Sequence, residues 1–83
     1  MAQVNLTNDL GRRFAGEEVV LDLDVTDVRG MIKELESRYP GIAEILQDGS
    51  MAMAIDGTLY QEAWLETLKP TSEVHFLPAI KGG

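Results

Sequence analysis

Apolar and polar residues alternate near both ends of the chain and switch to a helical period between them. Val4 and Leu6 alternate with Gln3 and Asn5, the period of two expected of a half-buried strand over 3–6. Asn8-Asp9-Leu10-Gly11 has the composition of a turn. A second alternation sets Val19, Leu21, Leu23 and Val25 against Glu18, Val20, Asp22 and Asp24, which predicts a strand that forms a hairpin with the first. Val28, Met31, Ile32 and Leu35 then recur at helical spacing, with Tyr39 one turn on. Thr26 is placed to cap this helix, and Asp27 to interact with its dipole. Gly30 weakens the helix interior by roughly 1 kcal/mol relative to Ala, a cost that fits a close helix-to-sheet approach. Tyr39-Pro40-Gly41 ends the helix.

Ile42, Ile45 and Leu46 predict a short second helical turn, and Met51, Met53 and Ile55 alternate with Ser50, Ala52 and Ala54 as a third strand. Asp56-Gly57 is a strong turn signal. It leads to an edge piece over 58–60 and an irregular stretch carrying Trp64, Leu65 and Leu68. A last strand runs over 73–77, and Pro78, lacking an amide donor, is expected to end regular pairing. The order ββαββ describes an α+β fold, one main helix on a small mixed sheet. Residues 1–78 read as its one domain and 79–83 as a flexible C-terminal Gly-Gly tail, whose five residues extend roughly 16 Å at about 3.3 Å each.

Eighty-three residues hold one core and exclude a two-domain enzyme. The absence of cysteine removes disulfides, thiolate catalysis, persulfide carriage and cysteine-based metal sites. A net charge of -7 repels phosphate backbones, so no nucleic-acid partner is expected. No basic-then-apolar leader and no apolar run of membrane length is visible, which gives the expectation of a cytoplasmic protein with no membrane partner.

The element order, the Asp-Gly turn after the third strand and the ending Phe76-Leu77-Pro78-Ala79-Ile80-Lys81-Gly82-Gly83 together resemble the MoaD/ThiS family of ubiquitin-like (β-grasp) sulfur carrier proteins. Arg38-Tyr39-Pro40-Gly41 and Ile55-Asp56-Gly57 add to the likeness, which spans the whole chain. The resemblance implies a carrier rather than an enzyme. In that family an E1-like adenylyltransferase uses ATP to convert the terminal carboxylate, here that of Gly83, into an acyl-adenylate, and sulfur then displaces AMP to leave a thiocarboxylate. No cofactor is bound by the carrier itself.

The residues suit that use. Gly82 and Gly83 have no side chains to obstruct a narrow channel, and Ile80, Lys81, Gly82 and Gly83 form the arm that would enter a partner's active site. Without cysteine, a carboxyl group is the one place where transferable sulfur can sit, and the C-terminal one is on the arm. Within the family the likeness is greatest to the small subunit of molybdopterin synthase, implying a molybdopterin synthase large subunit as sulfur acceptor. Delivery to thiazole (thiamine) or cysteine synthesis is the alternative. A ubiquitin-like modifier forming isopeptide bonds, and a passive interaction domain with an inert tail, are the readings from other classes. The spacer Ala79-Ile80-Lys81 is more basic than the apolar or small tails of the molybdopterin branch.

Strand parity turns Leu77 outward if Val74 and Phe76 face the helix, and with Leu59 and Ile80 it composes an apolar partner-docking patch. His75 has no second histidine or cysteine with which to hold a metal, and is read as a solvated strand residue. No metal site is expected. Met31, Met51 and Met53 read as core, and Trp64 as a pin for the irregular segment. Glu17, Glu18, Asp22, Asp24 and Asp27 make an acidic, solvent-facing set that suits basic residues on an activating enzyme.

Overall fold

The computed structural model describes residues 1–14, 16, 19–61 and 63–78. Its strands are β1 (Ala2–Asn5), β2 (Val20–Leu23), β3 (Met51–Ile55), β4 (Thr58–Tyr60) and β5 (Glu73–Pro78), and its helices α1 (Asn8–Phe14), α2 (Val28–Arg38) and α3 (Ile42–Gln47). The strands form one mixed sheet in the order β2-β1-β5-β3-β4. Strand β5 lies in the middle, parallel to β1 and antiparallel to β3.

The predicted alternation selects one sheet face for the core. Val4, Leu21, Leu23, Val74, Phe76, Met53 and Ile55 are buried on it, against Val28, Met31, Ile32 and Leu35 of α2. Burial of each such side chain is worth about 1.5–3 kcal/mol, and deleting one to alanine costs more where a cavity remains.

Several local expectations are corrected. Residues 8–11 are not a turn. Asn8–Phe14 is helical, with Leu10 buried, and the Leu10 amide donates to Thr7 Oγ1 at 3.1 Å as an N-terminal cap. Strands β1 and β2 do pair antiparallel, from Ala2↔Leu23 to Asn5↔Val20, but α1 intervenes in place of a tight hairpin. The cap of α2 is Asp27, not Thr26: its Oδ1 accepts from the Gly30 amide at 2.6 Å. This also revises the reason for Gly30. A methyl group there would stand 2.9 Å from Asp27 Oδ1, so the missing side chain makes room for the cap rather than for the sheet. Pro78 does not stop pairing before itself: it is still paired, opposite Met51.

Helix α3 gets its start from a distance. Glu36, near the end of α2, accepts from the Gly41 amide at 2.9 and 3.0 Å and from the Ala43 amide at 3.0 Å. Those two amides hold its carboxyl below the usual glutamate range. The segment after β4 is pinned to the head of α2 by backbone bonds from Val28 to Glu66 and from Leu68 to Thr26. Ala63 and Leu68 are buried in that segment, and Trp64 packs half-buried on the core, as a pin should.

Asp56 and Gly57 both have positive φ, 49° and 87°, the two-residue turn that the Asp-Gly pair predicts. The Asp56 carboxylate then ties this turn to the start of β5, accepting from the Glu73 amide at 2.9 Å and from the Ser72 hydroxyl at 3.0 Å. The Asp56 amide returns a bond to the Glu73 carbonyl at 2.9 Å. The Glu73 amide first, and the Ser72 hydroxyl next, hold the Asp56 carboxyl below its ordinary range.

Asp27→Ala removes the α2 cap and is expected to lower stability by about 1 kcal/mol in chemical denaturation, with the fold retained. Both Asp56 and Glu36 have carboxyls that are easier to ionise in the folded chain than in the unfolded one. Their contribution is therefore complete above the ordinary carboxylate range, about pH 4–4.5, and is lost as pH falls below that range through their lowered folded-state values. Melting temperature should drop on acidification below about pH 5, and Asp56→Asn with Glu36→Gln should flatten that dependence, lowering the melt more at neutral pH than in acid.

Candidate functional site

The site is built around the end of β5. This strand is held at its start by Asp56, along both edges by β1 and β3, and through its inward Val74 and Phe76 by the core. The Asn5 side chain adds a bond of 3.1 Å to the Val74 carbonyl. Pro78, the last described residue, therefore has a fixed place in the middle of the sheet, opposite Met51. Residues 79–83 follow in the sequence. The arm Ile80, Lys81, Gly82 and Gly83, with the reactive carboxylate assigned to Gly83, lies outside the described residues, as does the boundary of the tail at 79.

The structure places two of the three patch residues on one face, Leu77 next to Pro78 and Leu59 two strands across at the level of His75. Across the antiparallel ladders Leu59 pairs with Ala54, Ala54 with His75, and Ala52 with Leu77, so all five share the outward face. Leu59 is 52% exposed, and Leu77 is half-buried. The alanines between them are short, leaving a low apolar shelf flanked by two leucines. Ala52, read as a polar-side position of the strand, is only 3% exposed although it faces outward. The third patch residue, Ile80, lies outside the described residues.

His75 is exposed in the middle of this face, with Nε2 3.9 Å from Glu73 Oε2. Among the described residues no group of three His, Asp or Glu side chains is placed to hold a metal ion. None of the described strands carries lysine or arginine, whereas Asp22 and Glu73 are exposed on the outer face with Leu59 and Leu77. Of the acidic set, Asp22 and Asp24 are exposed, and Glu17 and Glu18 lie outside the described residues. Asp27 does not belong to a free acidic face, because its carboxylate is the α2 cap. Among the described residues no helix is long and apolar enough to cross a membrane.

The family model of the ThiS family matches residues 7–83, from just before α1 to the terminal glycine. The chain belongs to the ThiS family. Solved structures agree with the fold. CysO in the Amycolatopsis orientalis BexX/CysO complex superposes with a TM-score of 0.83 at 20% identity, covering 100% of both chains. CysO of Mycobacterium tuberculosis superposes with a TM-score of 0.79 at 20% identity, covering 96% of this chain and 100% of that one. No curated protein sequence matches. The β-grasp expectation is thus borne out. This ThiS-family chain departs from the simplest strand order only by the short helices α1 and α3.

The outward placement of the patch has a direct consequence for stability. Leu59→Glu is expected to change unfolding free energy by less than about 1 kcal/mol, as for exposed positions in general. Val74→Asp, at a position 0% exposed two strands away, should abolish the cooperative melt. Circular dichroism melts of the two variants check the assignment of faces.

Proposed function

We propose that this protein is a sulfur carrier that works through the carboxylate of Gly83. An oxygen of that carboxylate attacks the α-phosphorus of ATP in an E1-like adenylyltransferase, pyrophosphate leaves, and an acyl-adenylate forms. Hydrosulfide released by a sulfur donor then attacks the acyl carbon, the bond to the adenylate oxygen breaks, AMP leaves, and loss of a proton leaves a thiocarboxylate on Gly83. The carrier supplies the acyl group and its delivery arm, and the partner supplies the nucleotide site and the chemistry. ThiS-family sulfur carriers are small carrier proteins rather than catalysts, and no enzymatic role is assigned to this one.

The observation that carries the reading is the place of β5 in the middle of the sheet, paired on both edges and directly ahead of Ala79-Ile80-Lys81-Gly82-Gly83, in a chain whose family match runs to residue 83. A strand fixed on both edges aims the arm, and two glycines at its end keep it slim enough for a buried nucleotide site. Leu59 and Leu77 give a partner an apolar foothold next to the exit, with Ile80 as its extension along the arm. The acidic Asp22 and Asp24 suit basic residues on the same partner.

For the acceptor, a molybdopterin synthase large subunit is the first to test, and thiazole- or cysteine-forming enzymes come next. CysO forms a complex with BexX, which supports a carrier of this fold meeting a separate protein partner. The basic Lys81 spacer, and the likeness to two CysO structures, argue for testing both branches side by side.

Intact-protein mass spectrometry after incubation with an adenylating enzyme, ATP and a sulfur donor tests the proposal. The expected result is a gain equal to the replacement of one oxygen by sulfur, absent when Gly83 is deleted. An unchanged mass, with the same enzyme active on another carrier, overturns it, and conjugates to protein lysines that resist reducing agents would replace it with the modifier reading. Leu59→Glu should slow the reaction at least about tenfold at fixed carrier concentration, the size of a docking anchor.

A further inference from the structure

Strand β2 stands at one edge of the sheet and pairs only with β1. The way it pairs decides which of its backbone groups are left over. Where the β1–β2 register continues past Asn5↔Val20, the Leu6 amide donates to the Val19 carbonyl opposite it at 2.7 Å. In an antiparallel ladder, opposed residues that exchange bonds alternate with opposed residues that do not. Val4↔Leu21 and Ala2↔Leu23 are therefore the bonded pairs, and the N–H and C=O groups of Val20 and Asp22 turn away from β1 towards the open edge. Gln3, opposite Asp22, correspondingly gives its own amide to the Ser72 carbonyl on the β5 side, at 2.9 Å.

Open edges in folded proteins are usually blunted by lysine, proline or a bulge. Strand β2 has none of these: its register is regular, and Val20-Leu21-Asp22-Leu23 contains neither residue. What it carries is acid. Asp22 and, just past the strand, Asp24 are exposed, and Val20 is 46% exposed on the same face as Asp22. This charge is not balanced by neighbours. The adjoining strand β1 is uncharged, and no lysine or arginine occurs between Arg13 and Arg29, a stretch that holds Glu17, Glu18, Asp22, Asp24 and Asp27. Among the described residues no lysine, arginine, histidine or terminal amine comes within ion-pair distance of Asp22 or Asp24. A second copy of the chain is a poor occupant, because edge-to-edge pairing would gather the same carboxylates from two chains of net charge -7.

We propose that the β2 edge takes an extended basic segment of a partner protein as a further strand of the sheet. The segment runs antiparallel to β2, the more stable pairing, and exchanges backbone bonds with Asp22 and Val20. Side chains opposite Asp24, Asp22 and Val20 then fall at every second position on the sheet's outer face, as a lysine or arginine, a second one, and a β-branched residue. Strands β1 and β5 separate this edge from β3 and β4, so the added strand leaves Leu59 and Leu77 uncovered. The inference does not rest on the role of Gly83, and its test needs no activating enzyme.

The probe is the peptide Thr-Lys-Thr-Lys-Thr-Val-Thr, blocked at both ends and titrated into the nitrogen-labelled full chain near 0.15 M salt, where a Debye length of about 8 Å mutes distant charges. In the free chain the amides of Val20 and Asp22 should exchange with solvent much faster than those of Leu21 and Leu23. Saturable binding is expected, with amide shifts centred on 19–24 and exchange at Val20 and Asp22 slowed at least about tenfold. A peptide methylated on the backbone nitrogen of its second lysine keeps the charge but loses the bond to Asp22, and should bind at least about tenfold more weakly. Asp22→Lys with Asp24→Lys should weaken binding by a similar factor, whereas the same charge change at the helical Glu34 and Glu44 should leave it within about twofold. Should the lysine pair disturb the fold by circular dichroism, Asp22→Asn with Asp24→Asn gives the same ranking. Absence of binding, slow exchange at Val20 and Asp22 in the free chain, equal binding of the methylated peptide, or equal loss in the Glu34 and Glu44 variant would each overturn the assignment. Protection of Val20 and Asp22 that grows with protein concentration alone would replace the partner segment with a second copy of the chain.

Discussion

The chain closes on itself by pairing its last strand in parallel with its first, and everything else in the structure leans on that contact. Strand β5 pairs β1 from Gln3↔Glu73 to Asn5↔His75 while also pairing β3, so a segment from the end of the sequence occupies the middle of the sheet. Parallel pairing needs a long crossover, and here nearly the whole domain is that crossover. Loop-closure entropy for so distant a contact must be offset by burial, and Val4, Val74 and Phe76, all nearly inaccessible, provide it.

A central final strand gives the described end of the chain a fixed place. Had β5 been at an edge, one ladder would hold it instead of two. With ladders on both sides and the Asp56 carboxylate clamping its start, the strand is held through to Pro78. The short polar network of Asp56, Ser72 and Glu73 fixes where the strand begins.

The two layers divide their labour. The sheet's outer face combines exposed carboxylates, a histidine and two leucines without a single lysine or arginine on its strands, while the described cations lie on helices and on the loop that carries Lys69. Such segregation matters because a domain of this size has little surface to spare. Two carboxylates of the helical layer, Asp27 and Glu36, keep their charge but are held in place as acceptors of amides at helix starts.

The sequence by itself determined the elements that rest on periodicity and turn chemistry. Alternation at 20–23, 51–55 and 73–77, the helical spacing of Val28 to Leu35, the stop at Tyr39-Pro40-Gly41 and the Asp-Gly turn all depend on neighbours a few residues away, and they hold in the structure. The family resemblance was legible for the same reason, because its marks are local motifs. Where the reading failed, competing local signals had to be settled by packing. Asn8 to Gly11 reads as a turn in isolation, and its helix becomes visible only when Thr7 is taken as a cap and Leu6, Leu10 and Phe14 as one face turned to the core. Thr26 and Asp27 are both good caps, and the backbone bonds of Thr26 and Val28 to the segment after β4 leave Asp27 to serve. The apolar shelf was legible in Leu59 and Leu77 through parity, but Ala52 and Ala54 join it only across strands. The place of β5 in the middle of the sheet was not legible at all: it depends on pairing with β1 at the other end of the chain, as at Gln3↔Glu73, and that is decided by tertiary contact alone.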